Sequence, residues 1–211
     1  MMAFITHCWK NARLELAVWL VLACTCLGVP QAAQAEPMVP EVSQLRLERK
    51  AESVVVSALV NFDLPAAVED ALLKGVPVIF VAEAHVYRDR WYWSDKKVSS
   101  AERHMRLVFQ PLTRRWRLAV ASGLIAGNGL GVALSQTFDT LEEALGTIRR
   151  VAGWRIAEVA DLDPGTRHRL EFQFRLDTSQ LPRSLQIGTL GQSDWALAAS
   201  MTQRFTLEGL K

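Results

Sequence analysis

The sequence predicts a mainly β protein, an antiparallel β-sandwich with two short α-helices, built as a single domain over residues 44 to 211. Three observations carry this. Stretches rich in β-branched and aromatic residues follow one another, and several alternate apolar with polar side chains. The turn signals between them are short, which favours antiparallel neighbours. Only two stretches have helical spacing, too few for a parallel sheet of βαβ units.

The first 35 residues read as a secretory leader. Lys10 and Arg13 supply a positive start, an apolar run spans Leu14 to Val29, and the small residues Ala33 and Ala35 precede Glu36-Pro37. Cleavage is expected between Ala35 and Glu36; an exported protein whose intact mass retains residues 1 to 35 would contradict it. Two other readings stay open. The run could be kept as an anchor, although its 16 residues are short for a hydrocarbon core that needs about 20. Val21-Leu22-Ala23-Cys24 could be a lipidation site at Cys24, although Leu22 is bulky for that pattern.

The elements follow in order. Residues 36 to 43, with Pro37 and Pro40, form an extended lead-in. Strands are expected over 44 to 50 and 53 to 62, joined by a tight turn at Lys50-Ala51-Glu52. A helix over about 64 to 74 would be capped by Asp63, bury Val68, Ala71 and Leu72 on one face, and end at Gly75 in a left-handed conformation. One long β segment covers 76 to 93 and another 102 to 122, with Ser94-Asp95-Lys96-Lys97 as the turn. Asn128-Gly129 marks a hairpin into 130 to 138. Thr140 and Glu143 make a capping box for a second helix, about 140 to 152, with the stripe Leu141, Ala144, Leu145, Ile148 and Val151 and a stop at Gly153. Strands are then expected over 154 to 162, 167 to 177 and 194 to 207. Both helices start after Phe-Asp (Phe62-Asp63, Phe138-Asp139); shared capping chemistry accounts for this more simply than duplication.

Composition narrows the function. Half of the 211 residues are apolar and the net charge is +2, which excludes a disordered chain. Cys8, Cys24 and Cys26 all lie in the leader, so the remaining 176 residues hold no thiol nucleophile, redox pair or thiolate metal site. Removing the leader takes two basic residues and one acidic residue, leaving +1. That near-neutral value hides an asymmetry. Residues 84 to 117 carry nine basic groups against Asp89, Asp95 and Glu102, whereas 136 to 163 carry six acids and three bases. The basic window also holds Tyr87, Trp91, Tyr92, Trp93 and Trp116. Basic residues interleaved with aromatics can bind single-stranded nucleic acid, but an export signal removes that partner. Outside the cytoplasm the same surface suits phosphorylated lipid headgroups, acidic glycans or an acidic protein face. The plain alternative is that Arg and Lys guard exposed strands while the aromatics pack.

Candidate chemistry is thin. His85 and His104 fall on the two arms of the 76 to 122 ribbon, where they could face each other and, with Glu83 or Asp89, make a loose metal site; His168 stands alone. Gly191-Gln192-Ser193-Asp194 lacks the second glycine of a nucleophile elbow. Gly127-Asn128-Gly129-Leu130-Gly131 lacks the Lys-Ser/Thr of a phosphate loop. Asp161 and Asp163 precede Pro164-Gly165, where a turn explains them. No constellation supports an enzyme, a metal or a cofactor.

Several segments in order carry a resemblance: Leu72-Leu73-Lys74-Gly75-Val76-Pro77-Val78, Arg90-Trp91-Tyr92-Trp93-Ser94-Asp95, Leu141-Glu142-Glu143-Ala144-Leu145, and Arg175-Leu176-Asp177-Thr178-Ser179-Gln180-Leu181-Pro182 continuing through Leu185-Gln186-Ile187 to Asp194-Trp195. Together they resemble the proteobacterial family called domain of unknown function 4390, over about residues 44 to 207. Ser184 stands where that pattern often has a proline. The resemblance implies export to the Gram-negative envelope and a link to a membrane sensor histidine kinase, and it carries no catalytic residues.

The expected function is therefore a non-enzymatic periplasmic protein that binds a protein or envelope component, with a sensor kinase's periplasmic region as one candidate partner. A carrier of a lipid or glycan is the alternative, and an unrecognised hydrolase a third reading. Arg88, Arg90, Trp91, Tyr92 and Trp93 are the expected binding residues, since aromatic and Arg side chains dominate binding hot spots. On that reading Arg88→Glu with Arg90→Glu abolishes capture of the partner without changing thermal stability.

Overall fold

Alternation sorts the residues of this chain. In the computed structural model, which describes residues 39–89, 95–122, 134–182 and 195–210, nine strands form two antiparallel sheets. The strands are β1 (Glu41–Lys50), β2 (Ser53–Asn61), β3 (Val78–Arg88), β4 (Lys96–Gln110), β5 (Arg115–Ser122), β6 (Leu134–Phe138), β7 (Arg150–Glu158), β8 (His168–Asp177) and β9 (Ala198–Phe205). Helix α1 (Ala66–Leu73) follows β2 and helix α2 (Leu141–Arg149) follows β6. The sheet orders are β1-β2-β7 and β6-β5-β4-β3-β8-β9.

One face of each sheet goes inward. Val54, Val56, Ala58 and Val60 from β2 meet Phe80, Ala82 and Ala84 from β3 and Leu170, Phe172 and Phe174 from β8 in a single apolar core. Phe62, just beyond β2, closes it: its ring centroid lies 5.8 Å from Phe80 and 5.4 Å from Phe174. Burying three such rings is worth several kcal/mol of transfer free energy, so the space between the sheets is filled by side chains. Helix α2 lies against β2, β5, β6 and β7, and Arg149 fastens its end, donating from Nη2 to the Phe62 carbonyl at 3.0 Å while its guanidinium sits over the Phe62 ring.

Local chemistry sets most boundaries, with some departures from expectation. Gly75 has φ +80°, and the Gly75 and Val76 amides donate to the Leu72 and Ala71 carbonyls, a complete Schellman stop for α1. At the other end of α1, Asp63 is not the cap. Pro65 takes that position with no side-chain hydrogen bond, and its carbonyl accepts from Val68 and Glu69. Thr140 does cap α2, its Oγ1 accepting from the Glu143 amide at 3.3 Å. The two helix starts therefore do not share capping chemistry.

Helix α2 stops at Arg149 rather than 152, because β7 begins at once and Val151 pairs with Ala58. Gly153 does not end the helix. It sits in a bulge of β7, at φ +54°, with its amide donating to Ser57 Oγ. The lead-in is shorter than expected: β1 starts at Glu41, with an irregularity near Ser43. The 102 to 122 segment is two strands, since Pro111 to Arg114 form an unanticipated turn, and Lys96 and Lys97 belong to β4 rather than to the preceding turn. β3 ends at Arg88, β7 at Glu158 and β9 at Phe205, the last two followed by short 3-10 turns. The Asn128-Gly129 hairpin, Gly127 to Gly131, Ser193 and the leader with its Ala33 and Ala35 lie outside the described residues.

Candidate functional site

The site proposed from sequence begins where β3 ends. Register places Arg88 between Lys96 of β4 and His168 of β8. Strand alternation turns Arg88 to the core side with His168, and Arg88 Nη1 donates to Asp163 Oδ2 in the turn after β7. Tyr87, one residue back, points to the other face. Its ring lies between Lys97 Nζ at 5.7 Å and the Arg169 guanidinium at 5.2 Å. Arg169 in turn donates to Asp95 Oδ2 at 2.7 Å and approaches Glu171 at 3.3 Å. Asp89 is tied twice, by its amide to the Arg167 carbonyl and by its carboxylate to Arg204 of β9 at 3.9 Å. The end of this hairpin is thus fastened to β8, to β9 and to the turn after β7. Arg90, Trp91, Tyr92 and Trp93 lie outside the described residues.

Arg88 has a consequence for the expected double variant. Its guanidinium is in an ion pair, so Arg88→Glu would set a carboxylate against Asp163 and change stability as well as surface charge. Beneath it, His168 is fully buried and its ring stacks on Phe205 at 5.6 Å. Burial lowers its pKa, and the Arg88 charge adds to that, while the Thr166 backbone and Asp89 oppose it.

The rest of the basic window does not join this end. β4 is 15 residues long, about 50 Å at strand rise, and the window's members spread along it. Arg115 pairs with Asp139 at 2.7 Å and Arg117 donates to Ser135 Oγ at 2.8 Å, both on β5 beside the far end of β4, opposite Gln110 and Val108. Arg103 turns inward and lies over Trp154 of β7 at 5.1 Å, where burial lowers its pKa.

His85 and His104 do not face each other. His85 is opposite Ser100 and His104 opposite Val81, four residues out of step along the ribbon. His85 Nδ1 meets Ser100 Oγ at 2.9 Å and its Nε2 lies 3.6 Å from Glu83; His104 lies 3.6 Å from Glu102. Arg175 donates to Glu83 from Nε at 3.1 Å and Nη2 at 2.8 Å. Among the described residues no group of three or more His, Cys, Asp or Glu is arranged to hold a metal ion. Asp161 and Asp163 lie at a turn as expected, with Gly165 at φ +71°, but Asp163 also serves as the Arg88 partner.

Two further features were not anticipated. An open groove of about 830 Å³ runs where β1 and β9 approach, lined among others by Leu45, Arg46, Leu59, Arg150, Met201 and Gln203. The Leu-Asp-x-x-x-Leu-Pro segment is a strand-ending turn. The Asp177 carboxylate accepts from the Ser179 amide at 3.0 Å and from Gln180, and Leu181 tucks into the core. Burial alone would raise the Asp177 carboxyl, but those hydrogen bonds and the Arg175 guanidinium outweigh it and hold the pKa below the usual value.

These features define a two-sheet antiparallel β domain whose strand ends are locked by ion pairs. The chain belongs to the family described as Domain of unknown function (DUF4390), whose model matches residues 39–205, from just before β1 to the last residue of β9. No curated protein and no solved structure matches it.

Proposed function

We propose that this protein is exported to the envelope, loses residues 1 to 35 and acts there as a non-enzymatic binding domain for a protein partner or another envelope component. The observation that supports this best is the hairpin end. Arg88, Tyr87, Asp89 and Asp95 are fastened to three other parts of the fold. The six-residue stretch that starts at Asp89 contains Arg90, Trp91, Tyr92 and Trp93. A recognition segment carried on fixed strands loses less entropy on binding, and Trp, Tyr and Arg supply most hot-spot energy. The periplasmic part of a membrane sensor histidine kinase is the partner that the family resemblance favours.

In-cell crosslinking of the exported protein, followed by mass spectrometry of what it captures, tests the proposal. A reproducible envelope partner is expected; labelling no stronger than that of an unrelated periplasmic protein contradicts it. The 830 Å³ groove favours the second reading, a lipid or glycan carrier, since small-molecule sites commonly fall in that size range. Native mass spectrometry separates the two, because a carrier purifies with a small ligand attached.

A further inference from the structure

The six-stranded sheet ends at β6, and β6 is unlike the other edges. Four strands have a free side among the described residues: β1, β7, β6 and β9. Natural edge strands are blunted by charges, by bulges or by cover, because a bare row of N–H and C=O groups templates pairing with another chain. β1 carries Glu41, Arg46, Glu48, Arg49 and Lys50, and β7 carries Arg150, Arg155 and Glu158 with a bulge at Gly153. β9 carries Arg204 and lies against β1. β6 reads Leu-Ser-Gln-Thr-Phe, with no charge and no proline. It pairs on one side with β5, and Leu134 is 71% exposed.

The sequence of β6 also fits itself. When two copies are set antiparallel about a two-fold axis through Gln136, Leu134 stands opposite Phe138 of the other copy and Ser135 opposite Thr137. An aliphatic–aromatic pair and a hydroxyl–hydroxyl pair are both favourable cross-strand neighbours. Leu134 and Phe138 lie on the same face as Trp116 and Val120, their partners on β5, so the new apolar pairs would continue the core face of the sheet. We infer that the protein forms a symmetric dimer through β6, joining two six-stranded sheets edge to edge. Each β6 is five residues long, so the interface falls below standard size and the dimer is of micromolar strength, order of magnitude, rather than permanent.

The two-fold axis supplies a specific test, since each Gln136 meets its own copy. Protein expressed from the full-length gene is examined by sedimentation velocity up to roughly 100 µM, far above a micromolar dissociation constant. Gln136→Lys or Gln136→Glu alone places like charges face to face and should weaken the dimer about tenfold. An equimolar mixture of the two variants should restore it as a mixed dimer. Wild-type protein that remains monomeric over that range overturns the proposal. So do single variants that dimerise like wild type, or a mixture no stronger than its components.

Discussion

Arg88 and Asp163 form an ion pair that ties the end of β3 to the turn after β7, and with it a basic stretch of sequence to an acidic one. Arg115 and Asp139 repeat the relationship at the other end of the ribbon. The charge asymmetry along the chain is therefore partly cancelled in space. Both pairs keep substantial solvent contact, so each contributes modestly. Arg88→Ala and Asp163→Ala should each lower stability by about 0.5 to 1 kcal/mol, and the double variant by clearly less than their sum. A denaturant-melt double-mutant cycle measures this, and strict additivity would mean that the pair is inert.

His168 gives the stability a pH dependence. In the fold its imidazole is held neutral, chiefly by burial, with a pKa below 6.5. The unfolded chain takes up the proton near 6.5, so stability is complete above that value and is lost as pH falls through it. His168→Phe keeps an aromatic ring against Phe205 and removes the titration. Its melting temperature should drop less than the wild type's between about pH 7.5 and pH 5.5. Parallel curves for the two proteins would show that another group is responsible.

Asp177 works in the opposite range. Its folded carboxyl sits below 3.8, so it contributes stability above that value and loses it as pH falls through the lowered pKa. Asp177→Ala should cost about 1 kcal/mol at neutral pH through the lost turn hydrogen bonds. Proteolysis between Asp177 and Pro182 should quicken. An Asp177→Ala protein as stable as wild type would leave the Leu-Asp-x-x-x-Leu-Pro turn without this explanation.

Ala51 occupies the left-handed region at φ +52° in the β1–β2 turn. An L-residue pays about 1 kcal/mol or more there, only partly offset by the greater freedom of glycine when unfolded. Ala51→Gly should therefore raise stability by roughly 0.5 kcal/mol. Gly153→Ala, at φ +54° in the β7 bulge, should lower it by about 1 kcal/mol. Thermal melts of the two variants shifting in the same direction would contradict the conformational argument.

Alternation made β8 readable residue by residue, and the β-branched run made β2 readable, because in each case burial follows the strand period. The stop at Gly75 and the cap at Thr140 were legible because single residues carry those geometries. The turn at Pro111 to Arg114 was not, since the apolar and aromatic residues on both sides of it read as one continuous strand. Val151 and Gly153 fit a helical stripe equally well in sequence, and pairing with β2 decided for a strand. The candidate site was half legible. Alternation placed Arg169 outward, but nothing in the order of residues could show that it would lie on Tyr87, or that Asp163 would answer Arg88 from another element.

Partner capture with Trp91 and Trp93 replaced, read together with stability, tests the central claim most directly. Exported wild type and Trp91→Ala/Trp93→Ala are crosslinked in cells, with Arg88 and its ion pair intact in both. The account predicts that the double variant keeps its melting temperature and loses at least about nine-tenths of the captured partner, as removal of paired aromatic hot spots does. A variant that captures the partner as well as wild type, at equal stability, would contradict binding through this hairpin end.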